Sequence, residues 1–123
     1  MIKRVLVANR GEIACRILRA CREAGIEGVA VFAENDSTSL FTELADISIE
    51  LKGEGLTETY LNQEQIIAIA LENGCDSIHP GFGFLSERAD FANAVIDAGL
   101  IWIGPSAEAI TNMGDKMTAR MTM

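Results

Sequence analysis

Few residues in this chain have the chemistry for a reactive or binding site. There is one histidine, His79, there are three cysteines, and arginines gather near the N-terminus. The densest group is Ile78-His-Pro-Gly-Phe-Gly-Phe-Leu-Ser-Glu87. Gly81 and Gly83 let the backbone turn tightly, while Phe82 and Phe84 place aromatic rings where a connecting segment is ordinarily polar. Two glycines suit a structural turn. Two interleaved aromatics suit a surface that meets a ligand.

Other chemistries find little support. Cys15, Cys21 and Cys75 lack the spacing of a zinc site, which needs four ligands and a close Cys or His pair, so they read as buried, reduced thiols. No serine sits in a G-x-S-x-G elbow, and His79, preceding Pro80, reads as ordering that turn. No phosphate-binding P-loop motif occurs. The first strand-turn-helix, with Glu34 ending the second strand, has the outline of a dinucleotide site. Its turn, however, is Asn9-Arg10-Gly11-Glu12, with one glycine and a carboxylate where a pyrophosphate would lie.

On a helix over 12–24, Arg16, Arg19 and Glu23 fall within one narrow arc, expected beside the apolar stripe. Mixed charges of this kind can be self-complementary across a two-fold axis. An exposed face with an internal Arg19–Glu23 pair is the alternative.

The elements that must carry these groups follow from hydrophobic period. Apolar runs at 5–8 and 28–33 read as strands buried on both faces, and 47–51 alternates as a strand with one wetter face near an edge. Shorter strands are expected at 76–79 and 101–103. Between them lie helices over 12–24 (Ile13, Ile17, Ala20, Cys21 and Ala24 inward), 62–73 (Ile66, Ile67, Ala70 and Leu71 inward) and 86–98 (Phe91, Ala94 and Val95 inward). Asn62, Ser86 and Ser106 are expected caps, 35–37 supplies cap and turn residues before a short helix ending at Leu44, and 53–59 reads as a polar loop. Strands alternating with helices over short connections predict a Rossmann-like α/β fold, a parallel sheet with helices on both faces.

The chain has 123 residues, one domain's length, with 49 % apolar and 6 % aromatic residues. Its net charge of −8 conceals an asymmetry, because Lys3, Arg4, Arg10, Arg16, Arg19 and Arg22 crowd the first twenty-two positions of an otherwise acidic body. The acidic balance argues against nucleic acid, and no apolar run is long enough to span a membrane. A cytoplasmic protein, or one of the mitochondrial or plastid matrix, is expected.

Three segments together carry a family resemblance. Val7-Ala-Asn-Arg-Gly-Glu-Ile-Ala14 with its arginine helix, the 79–87 segment, and Ile103-Gly-Pro-Ser106 followed by Met113-Gly-Asp-Lys116 resemble the N-terminal domain of biotin carboxylase. The resemblance implies a pre-ATP-grasp domain over 1–113, with 114–123 beginning a linker to an ATP-grasp domain. It implies ATP and Mg or Mn, bound mainly by that further domain, and biotin tethered to a carrier domain. It further implies a carboxyltransferase partner and a homodimer of the full-length enzyme. Lys116 resembles the lysine that contacts nucleotide phosphates, Phe82 and Gly83 the biotin-site loop, and Arg16, Arg19 and Glu23 the dimer contacts. No metal ligand and no catalytic residue is carried over, so these residues alone are expected to be inactive. Phe41 departs from a common His, and Phe82 from a common Tyr, which removes a phenolic hydroxyl but keeps the ring. The matching domain of another ATP-grasp ligase, of the carbamoyl-phosphate type, and a non-catalytic nucleotide-binding module are the alternatives.

Overall fold

Val5, Leu6 and Val7 are all buried, which requires cover on both faces of their strand. The computed structural model describes residues 2–104. The first strand, β1 (Arg4–Val7), lies at the centre of a five-stranded, all-parallel sheet with β2 (Glu27–Phe32), β3 (Ile47–Glu50), β4 (Ser77–His79) and β5 (Ile101–Trp102). The spatial order is β3-β2-β1-β4-β5. Helix α1 (Gly11–Glu23) links β1 to β2, and α2 (Leu40–Leu44) links β2 to β3. A short α3 (Gly55–Glu58) and then α4 (Gln63–Glu72) carry the chain to β4, and α5 (Ala89–Asp97) joins β4 to β5. The connections β1 to β2 and β4 to β5 run in opposite directions across the sheet, so right-handed crossovers put helices on opposite faces. Leu6, Val29 and Ile78 pack with Ile66, Ala70, Phe91 and Val95 of α4 and α5. Val5, Val7 and Ala30 pack with Ala14, Leu18, Cys21 and Phe41 of α1 and α2. Each fully buried aliphatic or phenyl side chain contributes about 1.5–3 kcal/mol of transfer free energy.

Local signals explain many boundaries. The Asn62 side chain accepts the Gln65 amide at 3.1 Å, capping α4 as expected. Among the described residues strand β3 pairs with β2 alone and alternates between half-buried and exposed residues, so it is the edge strand its sequence pattern predicts. Cys15, Cys21 and Cys75 are buried and free, and burial pushes the Cys75 thiol up to about 11.

Other expectations need correction. In α1 the core-facing residues are Ala14, Cys15, Leu18 and Cys21, whereas Ala20 and Ala24 are exposed and Ile13 and Ile17 half-buried. The apolar arc of this helix is wide, and close packing selects its rotation: a Cβ on Gly28 of β2 would stand 2.6 Å from Leu18 Cδ2. In α4, Ile69 is buried and Leu71 exposed, and in α5, Ala92 takes the inward place expected of Ala94. Helix α5 starts at Ala89, not beside Ser86. Residues Phe84–Glu87 form a 3₁₀ turn that drives Leu85 into the core, and Arg88 precedes α5 with no side-chain cap. The expected polar loop at 53–59 contains α3, closed by Thr59 Oγ1 donating to the Gly55 carbonyl at 2.7 Å.

Candidate functional site

Strand order places a topological switch point between β1 and β4, whose following connections leave in opposite directions. Open α/β sheets bind ligands outside the carboxyl ends of their strands at such a point. Here the crevice between the two strand ends holds Asn9, which is 1 % exposed. Its Nδ2 donates to the carbonyls of Pro80 and Phe82, each at 2.8 Å, and its Oδ1 accepts the Arg10 amide at 2.8 Å. With Glu12 in the first turn of α1, that crevice offers an anion no glycine-rich cradle.

The 80–84 segment is thereby held from below. Gly81 takes φ +70°, and a Cβ there would lie 2.6 Å from Asn9 Nδ2 and 2.9 Å from Asn9 Cβ. The Gly81 amide donates to His79 Nδ1 at 3.0 Å, so His79 orders the Pro80 turn, and burial holds its imidazole below the ordinary pKa. Phe84 takes φ +48°, uncommon for a residue with a side chain. Phe82 is 75 % exposed. Phe82 and Gly83 therefore stand at the carboxyl edge of the sheet on a segment whose backbone is tied at several points.

A second cluster adjoins it. Arg10 grips Asp36 with two prongs, Nε to Oδ2 at 2.7 Å and Nη2 to Oδ1 at 2.6 Å, and the Tyr60 hydroxyl donates to Asp36 Oδ2 at 2.6 Å. The hydrogen bonds from Arg10 hold the Asp36 carboxyl below the usual carboxylate range against the opposing effect of burial. Burial and the Asp36 carboxylate push the Tyr60 phenol up, which keeps it a neutral donor. The Tyr60 ring stacks on Phe84 with centroids 5.5 Å apart. Glu34, expected at a ribose position, is exposed beside an open cavity of about 570 Å³ lined also by Arg10, Glu54 and Tyr60. The Asn9, Asp36 and Tyr60 roles were missed from sequence, and only the burial of a tyrosine beside a polar loop could have hinted at them.

Arg16, Arg19 and Glu23 are all exposed. They stand outside the buried stripe of Ala14, Cys15, Leu18 and Cys21, and Arg16 borders a shallow cavity lined also by Val5, Ile17 and Cys21. No ion pair joins them to one another or to any other described residue; the described pairs are Arg4–Glu27, Arg10–Asp36 and Arg88–Asp90. Of the N-terminal cations, Arg4 and Arg10 hold the fold through those pairs, and Arg22 donates to the Leu44 carbonyl at 3.0 Å. Lys116 lies outside the described residues, as does the cap expected at Ser106.

Fold and site together define a doubly wound parallel α/β domain whose switch point is closed by an asparagine and edged by an aromatic loop. The chain matches the family model of the biotin carboxylase N-terminal domain over residues 1–110, and it belongs to that family. It is 55 % identical over 119 residues to the biotin-dependent acyl-coenzyme A carboxylase alpha3 subunit of Mycobacterium leprae, covering 97 % of this chain and 20 % of that one. It is 50 % identical to biotin carboxylase 1 of Bacillus subtilis, covering 100 % of this chain and 27 % of the relative. The solved biotin carboxylase domain of thermophilic 2-oxoglutarate carboxylase bound to ADP superposes with a TM-score of 0.90 at 48 % identity, over 97 % of this chain and 26 % of that one. The chain thus spans 27 % or less of each of these relatives.

Proposed function

We propose that these residues are the N-terminal domain of an ATP-dependent biotin carboxylase that uses bicarbonate to carboxylate biotin on a carrier domain. The observation that carries this reading is the family match over 1–110, which includes the tethered aromatic loop at the sheet's carboxyl edge. Phe82 and Gly83 line the biotin side of the site, the exposed phenyl face offering apolar cover without the hydrogen bond a tyrosine would add. Lys116 serves the nucleotide phosphates as a point charge. Arg16, Arg19 and Glu23 meet a second copy of the enzyme, which fits their exposure and lack of partners within the described chain.

Residues 1–113 form the domain, and 114–123 lead toward an ATP-grasp region. That region would supply most contacts to ATP and to Mg or Mn. No group of three or more His, Cys, Asp or Glu side chains among the described residues is placed to hold a metal ion. A carboxyltransferase receives the carboxyl group in the complete cycle, and the enzyme works in the cytoplasm or an organellar matrix. Among the described residues, no helix is long and apolar enough to cross a membrane.

The test is phosphate release from ATP by the full-length protein with bicarbonate, with and without free biotin. Stimulation by biotin is expected, and stimulation by ammonia or glutamine instead would overturn the reading in favour of a carbamoyl-phosphate-type ligase. The 123-residue polypeptide alone is expected to give no biotin-dependent turnover.

A further inference from the structure

We propose that Asn9 is a positioning residue for the biotin-site loop, setting the direction in which Phe82 and Gly83 meet substrate. The inference rests on the reading of that loop given above. A primary amide nitrogen has two hydrogens, and Asn9 spends both on the carbonyls that flank Gly81, those of Pro80 and Phe82. Fixing these two carbonyls fixes the Pro80–Gly81 and Phe82–Gly83 peptide planes, one before Gly81 and one after Phe82, and so the backbone from which the Phe82 side chain leaves. Asn9 Oδ1 is taken by the Arg10 amide, which leaves the side chain saturated.

The nearest substitutes do not supply this arrangement. Asp has the shape but no donors, Ala has neither, and Gln adds a methylene where Gly81 already approaches too closely to accept a Cβ of its own. The far end of the loop is tied to the same dipeptide: Phe84 stacks on Tyr60, Tyr60 donates to Asp36, and Asp36 is gripped by Arg10. Core packing does not explain this investment, because the largest side chain between the two anchors, Phe82, is 75 % exposed. Buried donors that hold an exposed aromatic in one direction are what preorganised binding requires.

The experiment uses the full-length protein with Asn9→Ala and Asn9→Asp, each also in a Phe82→Ala background, and measures kcat and KM for free biotin and for ATP. Expected is a rise of about tenfold in KM for biotin, with KM for ATP changed by less than about twofold. In the Phe82→Ala background the added effect of Asn9→Ala should shrink below about threefold, since the two residues act as one unit. Parallel rises in both KM values, a loss confined to kcat, or an undiminished effect without Phe82 would overturn the proposal. If Asn9→Ala does not accumulate, Asn9→Asp decides, because it keeps the volume and the acceptor for the Arg10 amide while losing both donors. Failure of both variants to fold would assign Asn9 a purely structural role. An unsubstituted protein without biotin-stimulated turnover defeats the function reading and this inference with it, whereas an active one with unaltered Asn9 variants defeats the inference alone.

Discussion

Arg10 and Asp36, twenty-six positions apart, form a two-pronged ion pair at 2.6 and 2.7 Å that joins the end of β1 to the segment after β2. The carboxylate is buried while the guanidinium remains half open to solvent. The pair also orients Tyr60, and through its ring Phe84.

Removing the carboxylate takes away the acceptor of the Tyr60 hydroxyl hydrogen, leaving that hydroxyl only the Ala33 amide, which donates to it at 3.1 Å. Asp36→Ala should destabilise the domain by about 2–3 kcal/mol, the scale of lost hydrogen bonds to a charged group. Urea unfolding followed through the single tryptophan, Trp102, measures it. Because Asp36 has a lowered folded-state pKa, its stabilisation is complete above the unfolded value of about 3.9 and is lost as pH falls through the folded one. Asp36→Asn should therefore flatten the acid limb of the stability profile; an unchanged limb would assign acid unfolding elsewhere.

Gly81→Ala combines a left-handed backbone with a Cβ driven against buried Asn9. A loss of about 2–5 kcal/mol is expected, combining roughly 1–2 for the conformation and 1–3 for overpacking. A loss below about 1 kcal/mol would show that the loop relaxes away from Asn9, on the scale set by those same costs.

His79 gives a second pH dependence, in a higher window. Burial lowers its folded-state pKa, so the neutral form is favoured, and Nδ1 must stay unprotonated to accept the Gly81 amide. Stability from this group is complete above the unfolded value of about 6.5 and declines as pH falls below it. Comparing urea midpoints between about pH 7.5 and 5.5 tests this. His79→Asn, whose amide oxygen can accept the same hydrogen without titrating, should level the profile over that range.

Arg19→Glu reverses a charge in the exposed arc of α1 that is opposed by no described partner. In the full-length protein, sedimentation should show a dimer weakened by about tenfold or more, consistent with like-charge contact across an interface. A dimer of unchanged affinity would remove this arc from the contact.

The hydrophobic rhythm was legible where one face of an element is clearly marked. β1 with its continuous apolar run, β3 with its alternation and α4 with its Asn62 cap all appear where period and cap chemistry place them. Rotation of α1 was not legible, because apolar residues occupy too much of its circumference for periodicity to choose a face. The start of α5 was misread at Ser86, since burial of Leu85 outweighs a local capping preference. The 79–87 segment announced itself by composition, but its two anchors did not.

From the sequence alone came the alternation of strands and helices, the parallel α/β class, the aromatic loop and the clustering of charges on α1. These are encoded within a few residues of one another, by period, turn chemistry and charge. Tertiary structure alone decided that β1 lies between β2 and β4, and so that Asn9 reaches carbonyls 71 and 73 residues away across β4 while Arg10 reaches Asp36 beyond β2. Such contacts depend on strand order and on the direction of each crossover, which no local pattern carries. The loop's composition is thus a local property, and its fixed geometry is a property of the folded sheet.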